Sequence, residues 1–417
     1  MQLVAYGAQD IYLTGNAQIT LFKVVYRRHT NFAMESIENV FQGAVGLNKR
    51  VTAVIQRNGD LIKDMWLECE FSFSSDTVPV YGLGNAMVKQ VEIEIGGQLI
   101  DRQYGEWMNI WSELCVPEGK RIGYDAMVGN HAATASTVSS TTGTPGVVPN
   151  SNIDVPLWFW FNNNPGLALP LIALQYHEVR LNLELESGAN LTSSGTELTL
   201  TSAKLWVDYI YLDTDERRRM AQVSHEYLIE QLQFVGNTTA TSSLRVDLPL
   251  NHPVKELIWV TQDGSAHGRG SGLEPCQFTE MTFTTALLKL NGHDRFTARR
   301  PEYFLNVQHF KHHTHMARSG RDTCLVVSID ALDDSDSATT PTAIVVQEDN
   351  SQYIYVYSFA LNPEDHQPSG TCNFSRIDNA TLQFTGLNTN AGTVKVYARN
   401  YNVLRIMSGM AGVAYSN

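Results

Sequence analysis

The chain has 417 residues, 43% of them hydrophobic and 18% charged, so it has room for two ordinary domains and is too apolar to be disordered. Lys and Arg number 30 against 43 Asp and Glu; the resulting charge of −13 repels phosphate backbones and excludes general nucleic-acid binding. Aromatic residues at 10% and 30 glycines suit β structure rich in turns.

Residues 1–20 read as an arm, turn-rich and with Asp10 as the only charge. Residues 21–212 come next as a first domain. Its alternating apolar and polar stretches predict strands at Val51–Gln56, Met65–Phe73, Val91–Ile95, Leu157–Phe161, Leu181–Glu186 and Lys204–Leu212. Trp107, Trp111 and Leu114 predict a helix over Gln103–Cys115. The charged run 213–223 reads as a solvated connector whose ion pairs lie at the surface. A second domain, 224–417, carries strand patterns at Leu228–Phe234, Ile258–Thr261, Tyr353–Phe359, Ala380–Phe384 and Thr393–Tyr397. Tyr303, Val307 and Phe310 predict its helix, Pro301–His312, with Pro301 in the tolerant first turn. Asn58-Gly59, Gly96-Gly97, Asn164-Pro165-Gly166 and Asn291-Gly292 supply turn chemistry between them.

The two halves repeat one another. Asn58–Trp66 parallels Asn251–Trp259, Glu94–Gln98 parallels Lys289–His293, Leu157–Phe161 parallels Tyr355–Phe359, and Lys204–Trp206 parallels Lys395–Tyr397. Four pairs in one order, at offsets of 191 to 198 residues, indicate two copies of one antiparallel sandwich. Both copies carry an insertion between helix and next strand, Ala126–Ile153 and Met316–Asn350, where partners are usually met.

No nucleophile elbow, phosphate loop, HExxH helix or dinucleotide fingerprint occurs, so no catalytic or cofactor-binding residue is assigned. No metal site is expected. His309, His312 and His313 are the nearest approach to one, and closing the helix end explains them better, because Lys311 and Arg318 crowd them and no carboxylate lies nearby in sequence. Asp330, Asp333, Asp334 and Asp336 lack the glycine and final Glu of a calcium loop. Five cysteines at wide spacing imply reduced thiols. Glycosylation sequons occur at Asn190, Asn237, Asn373 and Asn379, a pattern common by chance. Met1–Asp10 lacks the order of a secretory leader and no apolar run approaches about 18 residues, which predicts cytosolic synthesis without membrane insertion.

Tyr6–Asn16, Phe22–Phe32, Arg57–Asp60, Pro165–Val179, Trp206–Tyr209, His225–Gln231, Asn251–Pro253, Pro368–Asn379 and Asn400–Gly409 resemble segments of the major capsid proteins of large icosahedral double-stranded DNA viruses, chlorella viruses in particular. The resemblance implies an all-β fold of two consecutive eight-stranded antiparallel jelly rolls with short helices in loops. It implies no enzyme activity, a homotrimer forming a pseudo-hexagonal capsomer, contacts with neighbouring capsomers and minor capsid proteins, and glycans on outer loops. The place of work would be the virion capsid, with synthesis and assembly in the host cytoplasm. The alternatives are a minor capsid or vertex protein of the same fold, and a carbohydrate-binding β-sandwich using Trp158, Trp160 and Trp206 for sugar stacking.

Overall fold

The computed structural model describes residues 29–72, 79–80, 82–129, 152–192, 198–239, 243–262, 276, 278–317, 352–387 and 393–415, with the side chains of 237–239 excepted. The arm 1–20, most of both insertions, Cys324 and the Asp330–Asp336 cluster lie outside the described residues.

The first half contains β1 (Phe32–Asn39), β2 (Phe41–Gln42), β3 (Arg50–Val54), β4 (Leu61–Ser72), β5 (Val88–Ile95), β6 (Gln98–Gln103), β7 (Asn152–Pro156), β8 (Leu169–Pro170), β9 (Val179–Leu185) and β10 (Thr199–Leu212). The second contains β11 (His225–Thr239), β12 (Ser243–Asp247), β13 (Pro253–Gln262), β14 (Thr285–Leu290), β15 (His293–Asp294), β16 (Tyr355–Ser358), β17 (Cys372–Asn373), β18 (Ala380–Thr385), β19 (Thr393–Met407) and β20 (Met410–Val413).

In the first half the sheets run β1-β10-β4-β7 and β2-β3-β9-β5-β6; in the second, β11-β19-β13-β16 and β12-β18-β14-β15. Once the short additions β2, β8, β17 and β20 are set aside, both halves place their strands in the same order. The first strand lies beside the eighth, then the third and sixth; the second lies beside the seventh, then the fourth and fifth. That is the jelly-roll connection, present twice. Hydrophobic alternation sets each register. Met65, Leu67, Cys69 and Phe71 of β4 point into the first core while Trp66, Glu68 and Glu70 point out. Leu257 and Trp259 do the same for the second core, with Tyr355, Val394, Val396 and Phe384 around them.

Two-residue turns close the hairpins that the sequence marks. Gly96 (φ +60°) and Gly97 (φ +81°) join β5 to β6, and Asn291 (φ +50°) and Gly292 (φ +81°) join β14 to β15. Both positions of each need positive φ, the property that Gly and Asn supply.

Four expectations are corrected. Leu157–Phe161 is not a strand: the paired segment is β7, and a short helix begins at Trp160, because Leu157, Phe159, Trp160 and Phe161 are all buried and leave no wet face to alternate with. Helices are also more numerous than two: α1 (Leu83–Met87), α2 (Gly105–Cys115), α3 (Glu118–Val128), α4 (Trp160–Asn163), α5 (Thr214–Gln222) and α6 (Gln308–His312). The connector is a helix with no buried residue, but one of its ion pairs is not a surface feature: Arg217 donates to Asp60 at 2.8 Å, a carboxylate that is only 3% exposed, so this pair anchors the linker. The duplication is one residue out of register at Trp66 and Trp259. Trp66 pairs with Trp206 and faces outward, whereas Ile258, not Trp259, pairs with Tyr397 on the outer face.

Candidate functional site

The apolar stripe of α2 does not cover its own sandwich. Trp107, Ile110, Trp111 and Leu114 lie on the outer face of the β11-β19-β13-β16 sheet, against Tyr397, Ile258, Val260 and Val356, with Leu232 and Phe234 beside them. Phe234, Tyr397, Ile258 and Val356 form one cross-strand row, so the sheet offers a continuous apolar floor. Polar contacts pin the edges. Tyr397 Oη donates to Glu106 Oε2 (2.7 Å), Lys395 Nζ reaches Glu106 and Gln262, and Asn109 Nδ2 donates to the Cys276 carbonyl (2.9 Å).

A buried charge cluster lies beside this contact. Arg399 bridges Glu230 and Glu256 (3.1 Å to the latter), also donates to the Pro363 carbonyl (3.2 Å), and lies 3.7 Å above the Trp111 ring. Lys255, with no exposed side chain, donates to Glu230 (2.6 Å) and to the Asp365 carbonyl (3.0 Å). His313 sits between two carboxylates, Nε2 toward Glu256 (3.1 Å) and Nδ1 toward Glu364 (3.0 Å). Burial raises a carboxyl, but the His313 charge, followed by Arg399 and Lys255, outweighs it and holds Glu256 at about 2. Burial likewise lowers an imidazole, yet Glu256 and Glu364 push His313 up to about 9. Lys255 falls to about 8, chiefly through burial and then Arg399. Each charge is matched in place, and the effect of such a network is to fix geometry rather than to add stability.

The three histidines set aside as metal ligands, His309, His312 and His313, point to different partners. His309 is buried and held low, to about 3, by burial and by His313. His312 turns to the Leu361 carbonyl (2.8 Å), and His313 alone enters the charge cluster. The carboxylates missing from the local sequence arrive from β13 and from the loop after β16. Among the sequons, Asn190, Asn373 and Asn379 are exposed; Asn190 Nδ2 donates to Glu186 (2.8 Å) and Asn373 Oδ1 accepts from Ser375 N (3.0 Å). Asn237 lies in β11. Trp160 is core, while Trp158 and Trp206 are half-buried. Sequence reasoning did not find Glu230, Lys255, Glu256, Glu364 or Arg399. The one available signal was Lys255-Glu256 inside a strand that is otherwise wholly apolar from Val254 to Val260.

The same two surfaces recur without a covering helix or sheet among the described residues. Two of the three stripe positions of the second helix point outward: Val307 is 38% and Phe310 80% exposed, while Tyr303 packs on the second core and Phe304, Leu305, Gln308 and His309 turn inward. A π turn at Tyr303–Val307 causes this, since it widens the helix and rotates the residues after it. On the first sandwich, the outer face of β1-β10-β4-β7 carries Trp206 stacked on Trp66 (centroids 6.3 Å, planes 12° apart), the positions that Tyr397 and Ile258 occupy in the second. Beside them a cavity of about 460 Å³ opens between Trp66, Met127, Pro156, Trp158 and Asp208.

Two like jelly rolls joined by a helix-on-sheet contact define a double jelly-roll capsid protein. The description "Major capsid protein N-terminus" matches residues 20–213, and "Large eukaryotic DNA virus major capsid protein" matches 216–323 and 337–412. The major capsid protein of Pyramimonas orientalis virus is 53% identical over 100% of this chain and 99% of its own length; that of Paramecium bursaria Chlorella virus 1 is 39% identical over the same shares. The quasi-atomic PBCV-1 capsid superposes with a TM-score of 0.74 at 35% identity, over 95% of this chain and 100% of the other. The Faustovirus major capsid protein shares the fold at a TM-score of 0.69 and 13% identity, over 96% and 94%. The chain belongs to the major capsid proteins of the large eukaryotic DNA viruses, and its place is the virion capsid.

Proposed function

We propose that three copies of the chain close into a head-to-tail ring, a capsomer of six sandwiches that tiles the viral shell. One observation carries this reading. Within a chain, the helix of the first sandwich covers the outer sheet of the second; among the described residues no helix covers the equivalent sheet of the first (half-buried Trp66 and Trp206), and the equivalent helix of the second leaves Val307 and Phe310 exposed. Repeating the intramolecular contact between chains joins each free helix to the next chain's free sheet. Such a heterologous contact closes as a ring when the rotation per chain is a third of a turn. Six near-equivalent sandwiches then approximate a hexagon, which packs flat against neighbouring capsomers and minor capsid proteins.

In this reading the arm 1–20 reaches a neighbouring subunit, residues 21–212 and 224–417 are the two jelly rolls, and 213–223 connects them. Exposed Asn190, Asn373 and Asn379 are the sequons open to glycans. Assembly takes place in the host cytoplasm, without catalysis, a membrane-inserted segment or direct nucleic-acid contact. No helix among the described residues is long and apolar enough to cross a membrane, and the net charge of −13 opposes a nucleic-acid role. Sedimentation and electron microscopy of the purified chain test the proposal. Flat, six-sided trimers are expected, and a stable monomer at micromolar concentration would overturn it.

A further inference from the structure

Cys115 ends α2 of the first sandwich, while His313 follows α6 and Glu364 follows β16 in the second. One donor atom from each lies within 4.8 Å of the other two. The geometry points to a zinc site made of Cys115, His313 and Glu364, with solvent as fourth ligand, clamping one sandwich to the other.

The donor chemistry is thiolate, imidazole and carboxylate, a set that suits a borderline-soft tetrahedral ion better than magnesium or calcium. Tetrahedral zinc bonds of roughly 2.0–2.3 Å set donor atoms about 3.3–3.8 Å apart, a spacing compatible with three donors that lie within 4.8 Å of one another. The surroundings also match a metal centre. A ligating histidine usually gives its other N–H to a carboxylate, and His313 Nε2 faces Glu256 at 3.1 Å, which turns Nδ1 toward Glu364. Glu256 is in turn held by Arg399, and Glu364 accepts from the Thr314 amide (2.8 Å) and from its hydroxyl. Glu364 keeps 19% of its side chain exposed, which leaves a path for an ion.

Charge balance permits the exchange. A divalent cation would displace one proton from the Cys115 thiol and one from His313 Nδ1. The net charge of the cluster with Glu230, Glu256, Glu364, Lys255 and Arg399 would not change. A protonated His313 between two carboxylates, with the Cys115 thiol donating to Glu364, could hold the same shape without metal, but only the metal requires Cys115 as a thiolate. The thiol therefore separates the two readings.

The test uses the full chain, stripped with a chelator and titrated with Co²⁺ and then Zn²⁺. We expect saturation at one ion per chain, with a thiolate-to-cobalt charge-transfer band that zinc abolishes. Cys115→Ser should remove the band and weaken zinc by about 100-fold. Glu256→Gln should keep the band and weaken zinc by roughly 10–100-fold, as outer-shell losses do. His312→Ala and Cys372→Ser should leave both unchanged. Absence of the band in wild-type protein shown to be folded by circular dichroism would overturn the site, whether or not the serine variant folds. So would a band that survives Cys115→Ser or disappears with Cys372→Ser.

Discussion

Phe310 offers the sharpest test of ring closure. Its side chain is 80% exposed, so almost all of its transfer free energy remains available to a neighbour. Burying a phenylalanine yields about 1.5–3 kcal/mol, and truncation to alanine forfeits most of that at each contact. A closed ring has three identical contacts, so Phe310→Ala should weaken trimer formation by roughly 5–8 kcal/mol, about four to six decades in the association constant. Because a trimer constant scales with the square of protein concentration, the half-assembly concentration should rise by about 100- to 1000-fold. Sedimentation velocity across a dilution series measures that midpoint. The folding stability of the dissociated chain should move by no more than about 0.5 kcal/mol, since the ring touches little within its own chain. An unchanged assembly midpoint would refute the helix-on-sheet contact between chains, and a large loss of monomer stability would refute the claim that the residue is free.

Arg399→Met leaves Glu230 and Glu256 buried without their shared cation and should cost about 3–5 kcal/mol in urea denaturation; adding Glu256→Gln should recover part of it. Burial raises the Asp101 carboxyl from 3.8 to about 6. A raised acid keeps its proton longer in the folded state, so stability should fall by about 2 kcal/mol as pH rises from 4 to 6, and Asp101→Asn should flatten that slope in denaturation curves taken at each pH. At the β5–β6 turn, a Cβ on Gly96 would lie 2.4 Å from His177 Nδ1, whereas one on Gly97 meets nothing within 4 Å. Gly97→Ala should therefore cost only the left-handed penalty of about 1–2 kcal/mol, and Gly96→Ala measurably more in thermal melts.

Period-two alternation and the turn dipeptides were enough to place most strands and to reveal the duplication, because both depend on neighbours within a few residues. Val91–Ile95 lies within β5 and Asn291-Gly292 closes a hairpin as its composition demands. Leu157–Phe161 misled because a run buried on all sides has no period to read. The stripe Tyr303, Val307 and Phe310 misled in part, for a different reason: Tyr303 packs on the second core, but one π turn, invisible in residue spacing, carries Val307 and Phe310 away from it.

The charge cluster shows where local pattern stops. Glu230, Glu256, Glu364, Arg399, His313 and Cys115 come from six separate segments, and no spacing rule links them. Composition, alternation and repeated order by themselves determined two like sandwiches with reduced cysteines and an acidic surface. Only the tertiary structure decided that α2 covers the other sandwich's sheet, that its counterpart leaves Val307 and Phe310 exposed, and that six distant side chains meet at the junction. Side-chain period reports which face of an element is apolar; it carries no information about which distant surface that face will meet, since hydrophobic burial is non-directional and the partner is selected by shape and charge after the chain has folded back on itself.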